Sequence, residues 1–131
     1  MPSLFTRIIA GELPGRFVYS DPRVVAFLTI APVRPGHTLV VPRIEVDDWL
    51  ELDEATSQAL FEVSRTVGKA VARAFPSRKV ALVAVGLEVP HVHLHLIPID
   101  SEEELDFRRA EKSPAAAALD EAQARIRAAM E

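Results

Sequence analysis

A chain of 131 residues and 14.4 kDa has the size of one domain, and 49% hydrophobic with 26% charged residues excludes wholesale disorder. The absence of cysteine excludes a disulfide framework, a thiolate metal site and a cysteine nucleophile. A net charge of −4 argues against a broad nucleic-acid surface. No apolar run approaches the ~20 residues that cross a bilayer, and no targeting segment is visible, so the expectation is a cytoplasmic protein with no membrane and no nucleic-acid partner.

In chain order, Leu4, Phe5, Ile8 and Ile9 recur at helical spacing behind Ser3, a capping residue, which predicts a short helix over residues 4 to 10. Gly11 and Pro14-Gly15 end it. Phe17 to Ser20 and Val24 to Ile30 are β-rich runs joined by Asp21-Pro22-Arg23, a hairpin signal. After Arg34-Pro35-Gly36, His37 to Pro42 reads as a third strand. From Asp53 to Phe75, Leu60, Val63, Val67, Val71 and Ala74 are spaced by three or four, so this is the main amphipathic helix, with Asp53 as its N-cap. Lys79 to Val85 is a near-continuous apolar strand, and His91 to Ile97 alternates strictly. Ser101 to Lys112 is acidic and irregular. Ser113-Pro114 then opens a last helix with Leu119, Ala122, Ile126 and Met130 on one face. This order of elements predicts an α+β domain around an antiparallel sheet.

Three of the four histidines fall in His91-Val92-His93-Leu94-His95-Leu96. Alternate side chains of a strand share a face, which puts the histidines together at steps of roughly 6.5 to 7 Å and Val92, Leu94 and Leu96 opposite. A lone histidine on a core face is most simply structural. Three in a row each need partners for two ring nitrogens, and that crowding favours function. Two chemistries suit the row: metal ligation, with Glu88 and His37 as further donors, or nucleophilic and proton-transfer catalysis.

The stretch His91-Val92-His93-Leu94-His95-Leu96 resembles the signature of the histidine-triad (HIT) family, His-x-His-x-His with apolar residues between and after. Three more blocks are similar in the same order: Leu4-Phe5-Thr6-Arg7-Ile8-Ile9-Ala10-Gly11-Glu12-Leu13-Pro14 to the opening helix, Ala26-Phe27-Leu28-Thr29-Ile30-Ala31-Pro32 to the second strand, and Pro35-Gly36-His37-Thr38-Leu39-Val40-Val41-Pro42 to the third. The resemblance implies a HIT fold of the Hint-like branch, with a five-stranded antiparallel sheet, a main helix and short N- and C-terminal helices. It implies a single domain over residues 1 to 131, with 105 to 131 as a C-terminal extension carrying a helix.

The activity it implies is a nucleotide-binding hydrolase or transferase that cleaves the α-phosphate–substituent bond of purine nucleotide conjugates, of phosphoramidate or dinucleoside polyphosphate type. In that scheme His93 attacks phosphorus, His95 serves the leaving group or phosphate, His91 holds the geometry, and His37 contacts the nucleophile and sets its tautomer. Leu4, Phe5, Ile8, Phe27 and Ile30 match the nucleobase slot, though periodicity alone reads them as core. Thr29, Leu87 and Glu88 fall at ribose- and phosphate-contacting positions.

Several residues depart from the family pattern. Thr29 replaces an aspartate that takes both ribose hydroxyls, so it offers one hydroxyl and no charge. Leu87 and Glu88 stand where Gln and Ser touch the phosphate or leaving group. An ionised Glu88 repels phosphate unless it points away or meets a cationic leaving group, which favours an amine over a polyphosphate. Many bacterial relatives bind structural zinc through Cys-x-x-Cys and a histidine after the third strand. Here those places hold Ser3, Thr6 and Glu45, so no metal and no cofactor is expected.

The resemblance also implies a homodimer whose two sheets join into one of ten strands. The apolar strand Lys79 to Val85, and Phe61 outside the main apolar stripe of the long helix, are independent reasons for it. Two rivals stay open at this point: a nucleotide-binding regulatory protein with weakened chemistry, and a metal-dependent hydrolase using the histidines as ligands.

Overall fold

The structure, a computed structural model, describes residues 1–130. Its elements are α1 (Leu4–Ile9), β1 (Phe17–Ser20), β2 (Val24–Leu28), β3 (Thr38–Pro42), α2 (Glu54–Ala74), β4 (Lys79–Ala84), β5 (Leu94–Ile99) and α3 (Ala116–Ala128). The strands form one antiparallel sheet in the order β1-β2-β3-β5-β4, the five-stranded α+β architecture expected from the sequence.

The strictly alternating geometry of β2 sorts its side chains between two cores. Val24, Ala26 and Leu28 join Val40 and Leu96 under α2 and α3, where Leu60, Val63, Val67, Val71 and Ile126 cover them. Val25 and Phe27 face the other way, with Leu39, Val41 and Phe5, under the short helix α1. Both faces are therefore dry at β2 and β3, which is why these strands read as unbroken apolar runs rather than alternating ones. The helix starts are where the sequence puts them: Ser3 Oγ accepts from Thr6 N, and Asp53 accepts from Thr56 N and Oγ1.

Two boundaries differ from expectation in ways that matter for the site. The last strand begins at Leu94, not at His91. Before it, His91 N–H turns back to Val89 O and Val92 N–H bonds Val46 O, so this segment is paired with loops rather than with the sheet. The third strand begins at Thr38, leaving His37 at the end of a tight turn. Gly36 there has φ +92°, and a Cβ would stand 2.6 Å from the Phe75 ring, so both backbone and space require glycine.

Candidate active site

The histidines gather on the α1 face of the sheet, around the start of β5. Hydrogen-bond partners assign their tautomers, because a backbone carbonyl can only accept and a backbone N–H can only donate. His93 Nδ1 lies 2.7 Å from the carbonyl of His91, so Nδ1 carries the proton and Nε2 carries the lone pair. No fully buried side-chain nitrogen or oxygen lacks a partner among the described residues, so the unpaired Nε2 opens to solvent although His93 is only 7% exposed. His91 is wholly buried and donates Nε2–H to Pro42 O at 2.8 Å.

A second row runs through His37. Val33 N–H donates to His37 Nδ1 at 3.0 Å, which puts the His37 proton on Nε2. That proton goes to His95 Nδ1, 2.9 Å away, and so His95 must carry its own proton on Nε2. The expectation that His37 contacts the nucleophile is corrected here. The β3–β5 register pairs Leu39 with His95 and Thr38 with Leu96, so His37 sits diagonally across from His95 and too far along the ladder for His93. The nucleophile's tautomer is set by its own chain instead.

Burial dominates the electrostatics. It pushes His37 down to about 3, with the neighbouring His95 and His93 adding to the effect. It pushes His95 down to about 4, helped by His93. His93 is lowered by burial too, although its bond to the His91 carbonyl and the charge of Glu88 pull the other way. These three rings are neutral at pH 7, the state in which imidazole has a lone pair to give. The His93 and His95 rings stand 4.9 Å apart, closer than backbone spacing alone suggests.

Aromatic rings flank the row on both sides. Phe5 meets His93 edge-to-face at 4.8 Å and Phe27 at 5.5 Å, and Phe27 meets Phe17 at 5.6 Å. Of the other positions read as a nucleobase slot, Ile8 is partly buried against this cluster, while Leu4 and Ile30 are exposed and not packed in it. Thr29 Oγ1 accepts from Ala31 N at 3.1 Å, so one lone pair is spent on its own turn and its proton remains to donate. Leu87 and Glu88 lie exposed in the loop before the triad.

Two features went unread in the sequence, and a third was read only as a set of replaced zinc positions. Phe107, in a short helical turn Phe107–Arg109 of the acidic tail, packs edge-to-face on His95 at 4.9 Å and lies 6.3 Å from His37. A lone aromatic in an irregular polar stretch was the only signal. A cleft of about 340 Å³ beside His93 is walled in part by Asp47, Asp48, Trp49 and Leu87. Finally, Ser3, Thr6, Glu45 and His91 converge. Ser3 Oγ lies 2.7 Å from His91 Nδ1, Thr6 Oγ1 donates to Glu45 Oε1 at 2.6 Å, and Ser3 N–H donates to the same oxygen at 2.7 Å.

Comparison with known proteins agrees with this geometry. The HIT domain pattern matches residues 10–102. A HIT-like protein of Saccharolobus solfataricus is 36% identical over 105 residues, covering 76% of each chain. A hypothetical histidine triad nucleotide-binding protein from Sulfolobus tokodaii superposes with a TM-score of 0.85 at 30% identity, over 96% of this chain and 90% of that one. A zinc-bound histidine triad family protein from Mycobacterium smegmatis shares the fold, with a TM-score of 0.83 at 24% identity over 97% and 91% of the two chains. The cluster around Ser3 does not fit zinc: it offers two hydroxyls, one carboxylate and one imidazole, and those groups are already bonded to one another. Each triad Nδ1 is already engaged as well, with backbone, serine or histidine. With the family pattern, the relatives, the sheet and the histidine row all in agreement, the chain belongs to the HIT family.

Proposed function

We propose that the protein is a nucleotidyl hydrolase or transferase that cleaves the bond between the α-phosphate of a purine nucleotide and its substituent, through a covalent nucleotidyl intermediate on His93. One observation carries the reading: His93 is held as the Nδ1–H tautomer with a free Nε2 lone pair, beside a His95 whose remaining N–H is free to donate. Neutral imidazole attacks phosphorus through Nε2, and the Nδ1–H bond to the His91 carbonyl stabilises the positive charge that develops on the ring. His95 Nε2–H donates a hydrogen bond to the substituent, which leaves with the bonding pair and takes its proton from solvent. Water or another acceptor then displaces His93 and releases a proton to solvent. Ile8, partly buried beside the Phe5 and Phe27 cluster, offers an apolar margin for a flat base, and the description of the Sulfolobus neighbour as nucleotide-binding supports it.

The cleft beside His93 supports an amine or neutral leaving group over a polyphosphate. Its wall contains Asp47 and Asp48 and neither lysine nor arginine, and the Glu88 charge also reaches His93. The test is a panel of adenosine and guanosine phosphoramidates beside diadenosine polyphosphates. Turnover of the phosphoramidates is expected. Tight nucleotide binding with no turnover of any of them would favour the regulatory reading instead.

The proposal includes a two-fold homodimer. Strand β4 is one of the two sheet edges, and α3 packs on α2 and on the other edge, β1. Phe61 on α2 and Leu82 on β4 are 54% and 46% exposed and line one groove of about 430 Å³. Pairing β4 with its own copy would cover both residues and satisfy the open edge.

A further inference from the structure

The four polar groups that converge behind the triad come from three distant parts of the chain: residues 3 and 6 at the start of α1, residue 45 after β3, and residue 91 before β5. Their protons can be followed one by one. His91 Nε2 faces a carbonyl and so carries a proton, and in that tautomer Nδ1 is the acceptor. Ser3 has one hydroxyl proton, and it goes to His91 Nδ1 at 2.7 Å. Thr6 then gives its own proton to Glu45, which also takes Ser3 N–H. Ser3 Oγ in turn accepts the N–H of Thr6 at 3.0 Å. Glu45 thus collects two donors on a single oxygen, and these bonds hold its carboxyl below the usual carboxylate range.

This network fastens one end of the catalytic row to the helix that packs on it. Its inner end is His91, whose carbonyl fixes the nucleophile's tautomer. Its outer end is the first turn of α1, which carries Phe5 against both His91, at 5.8 Å, and His93, at 4.8 Å. A helix of six residues cannot hold itself in place, so its position depends on such anchors. We propose that Glu45 is a positioning residue for the reaction: through Thr6 and Ser3 it locks α1 and His91 into register with His93 by hydrogen bonds alone, where the donor set is unsuited to zinc.

The kinetic part of this inference rests on the nucleotidyl-transfer reading, so the experiment includes a readout that does not. Wild type, Glu45→Gln and Glu45→Ala are compared well below their melting temperatures. The readouts are kcat and KM for an adenosine phosphoramidate, zinc content, and the rate at which diethyl pyrocarbonate modifies His93, mapped by mass spectrometry. Glu45→Ala should lower kcat/KM about tenfold, the size expected for losing a charge-assisted hydrogen bond. It should also speed His93 modification several-fold as Phe5 leaves the ring. Glu45→Gln, which keeps an acceptor, should recover part of both effects, and zinc should be substoichiometric throughout. A lowered melting temperature with unchanged His93 reactivity and unchanged kcat/KM would reduce Glu45 to a surface staple and overturn the inference. Stoichiometric zinc lost in Glu45→Ala would overturn it as well. If wild type turns over no phosphoramidate, the functional reading fails, while the modification rates still decide the role of Glu45.

Discussion

His37 hands its only ring proton to His95, and this 2.9 Å bond gives direction to the whole proton row, from Val33 N–H through His37 to the open Nε2–H of His95. Each donor is determined by the one before it, starting from a backbone amide that cannot reverse. A neutral imidazole with the wrong tautomer would present a lone pair to the leaving group instead of a proton. Replacing His37 by Ala should therefore lower kcat about 100-fold, within the range usual for losing a preorganised transition-state donor, with a smaller effect on nucleotide affinity. Steady-state kinetics beside calorimetric titration of the nucleotide separates the two. Equal loss in both would mean that His37 is only packing.

The same burial makes stability depend on pH. His37 and His95 are pushed down to about 3 and about 4 when folded, below the ordinary histidine value near 6.5. Below that ordinary value the unfolded chain binds more protons than the folded one, so stability rises with pH there. The contribution is fully present above about pH 6.5 and is lost as pH falls toward the folded values. Denaturant midpoints should fall from pH 7 to pH 4 in wild type. A variant with His37 and His95 both replaced by Gln should show a shallower slope, and identical slopes would remove these rings as the cause.

Phe107 should tune His95. Its ring covers one side of the imidazole, with His37 before β3 and His93 before β5 on others, and Asp106, Arg108 and Arg109 on its own turn. Phe107→Ala admits water, so the His95 titration should move up toward the ordinary value, while Phe107→Leu should move it less. Ring-nitrogen NMR reads this directly. An unmoved His95 titration in Phe107→Ala would leave the ring with no part in desolvating the site.

How much of this was legible beforehand follows from where the information sits. The His-x-His-x-His spacing, the Asp53 cap and the apolar period of α2 are local patterns, and the elements they specify appear in place. The partner of His37 depends on the β3–β5 register, which no local pattern encodes, and so the expected contact with His93 became a contact with His95. The start of β5 shifted because Val92 pairs with Val46 in a distant loop. Ser3, Thr6 and Glu45 were legible as a set only through what they replace in relatives. That they bond to one another and to His91 is a fact of three-dimensional packing. Phe107 acts across the chain from a segment with no periodicity, where a lone aromatic was the only local signal.

The dimer proposal predicts a species of about twice the 14.4 kDa chain mass by light scattering at low micromolar concentration. Leu82→Arg, at the exposed edge strand, should shift it toward monomer with the fold intact by circular dichroism. A wild-type monomer under those conditions would refute the proposal.

His93→Ala should cost about 10³-fold or more in turnover, since no other ring offers a free lone pair to phosphorus, while AMP binding against Phe5 and Phe27 persists. Near wild-type turnover in that variant would exclude His93 as the nucleophile.

The stereochemical course at phosphorus tests the central claim most directly. With a phosphoramidate made chiral at the α-phosphorus, attack by His93 inverts the centre once and attack by water inverts it again. Covalent catalysis on His93 therefore gives a nucleotide product of retained configuration. A product of inverted configuration would mean that water displaces the leaving group directly, and the nucleotidyl-histidine intermediate would have to be abandoned.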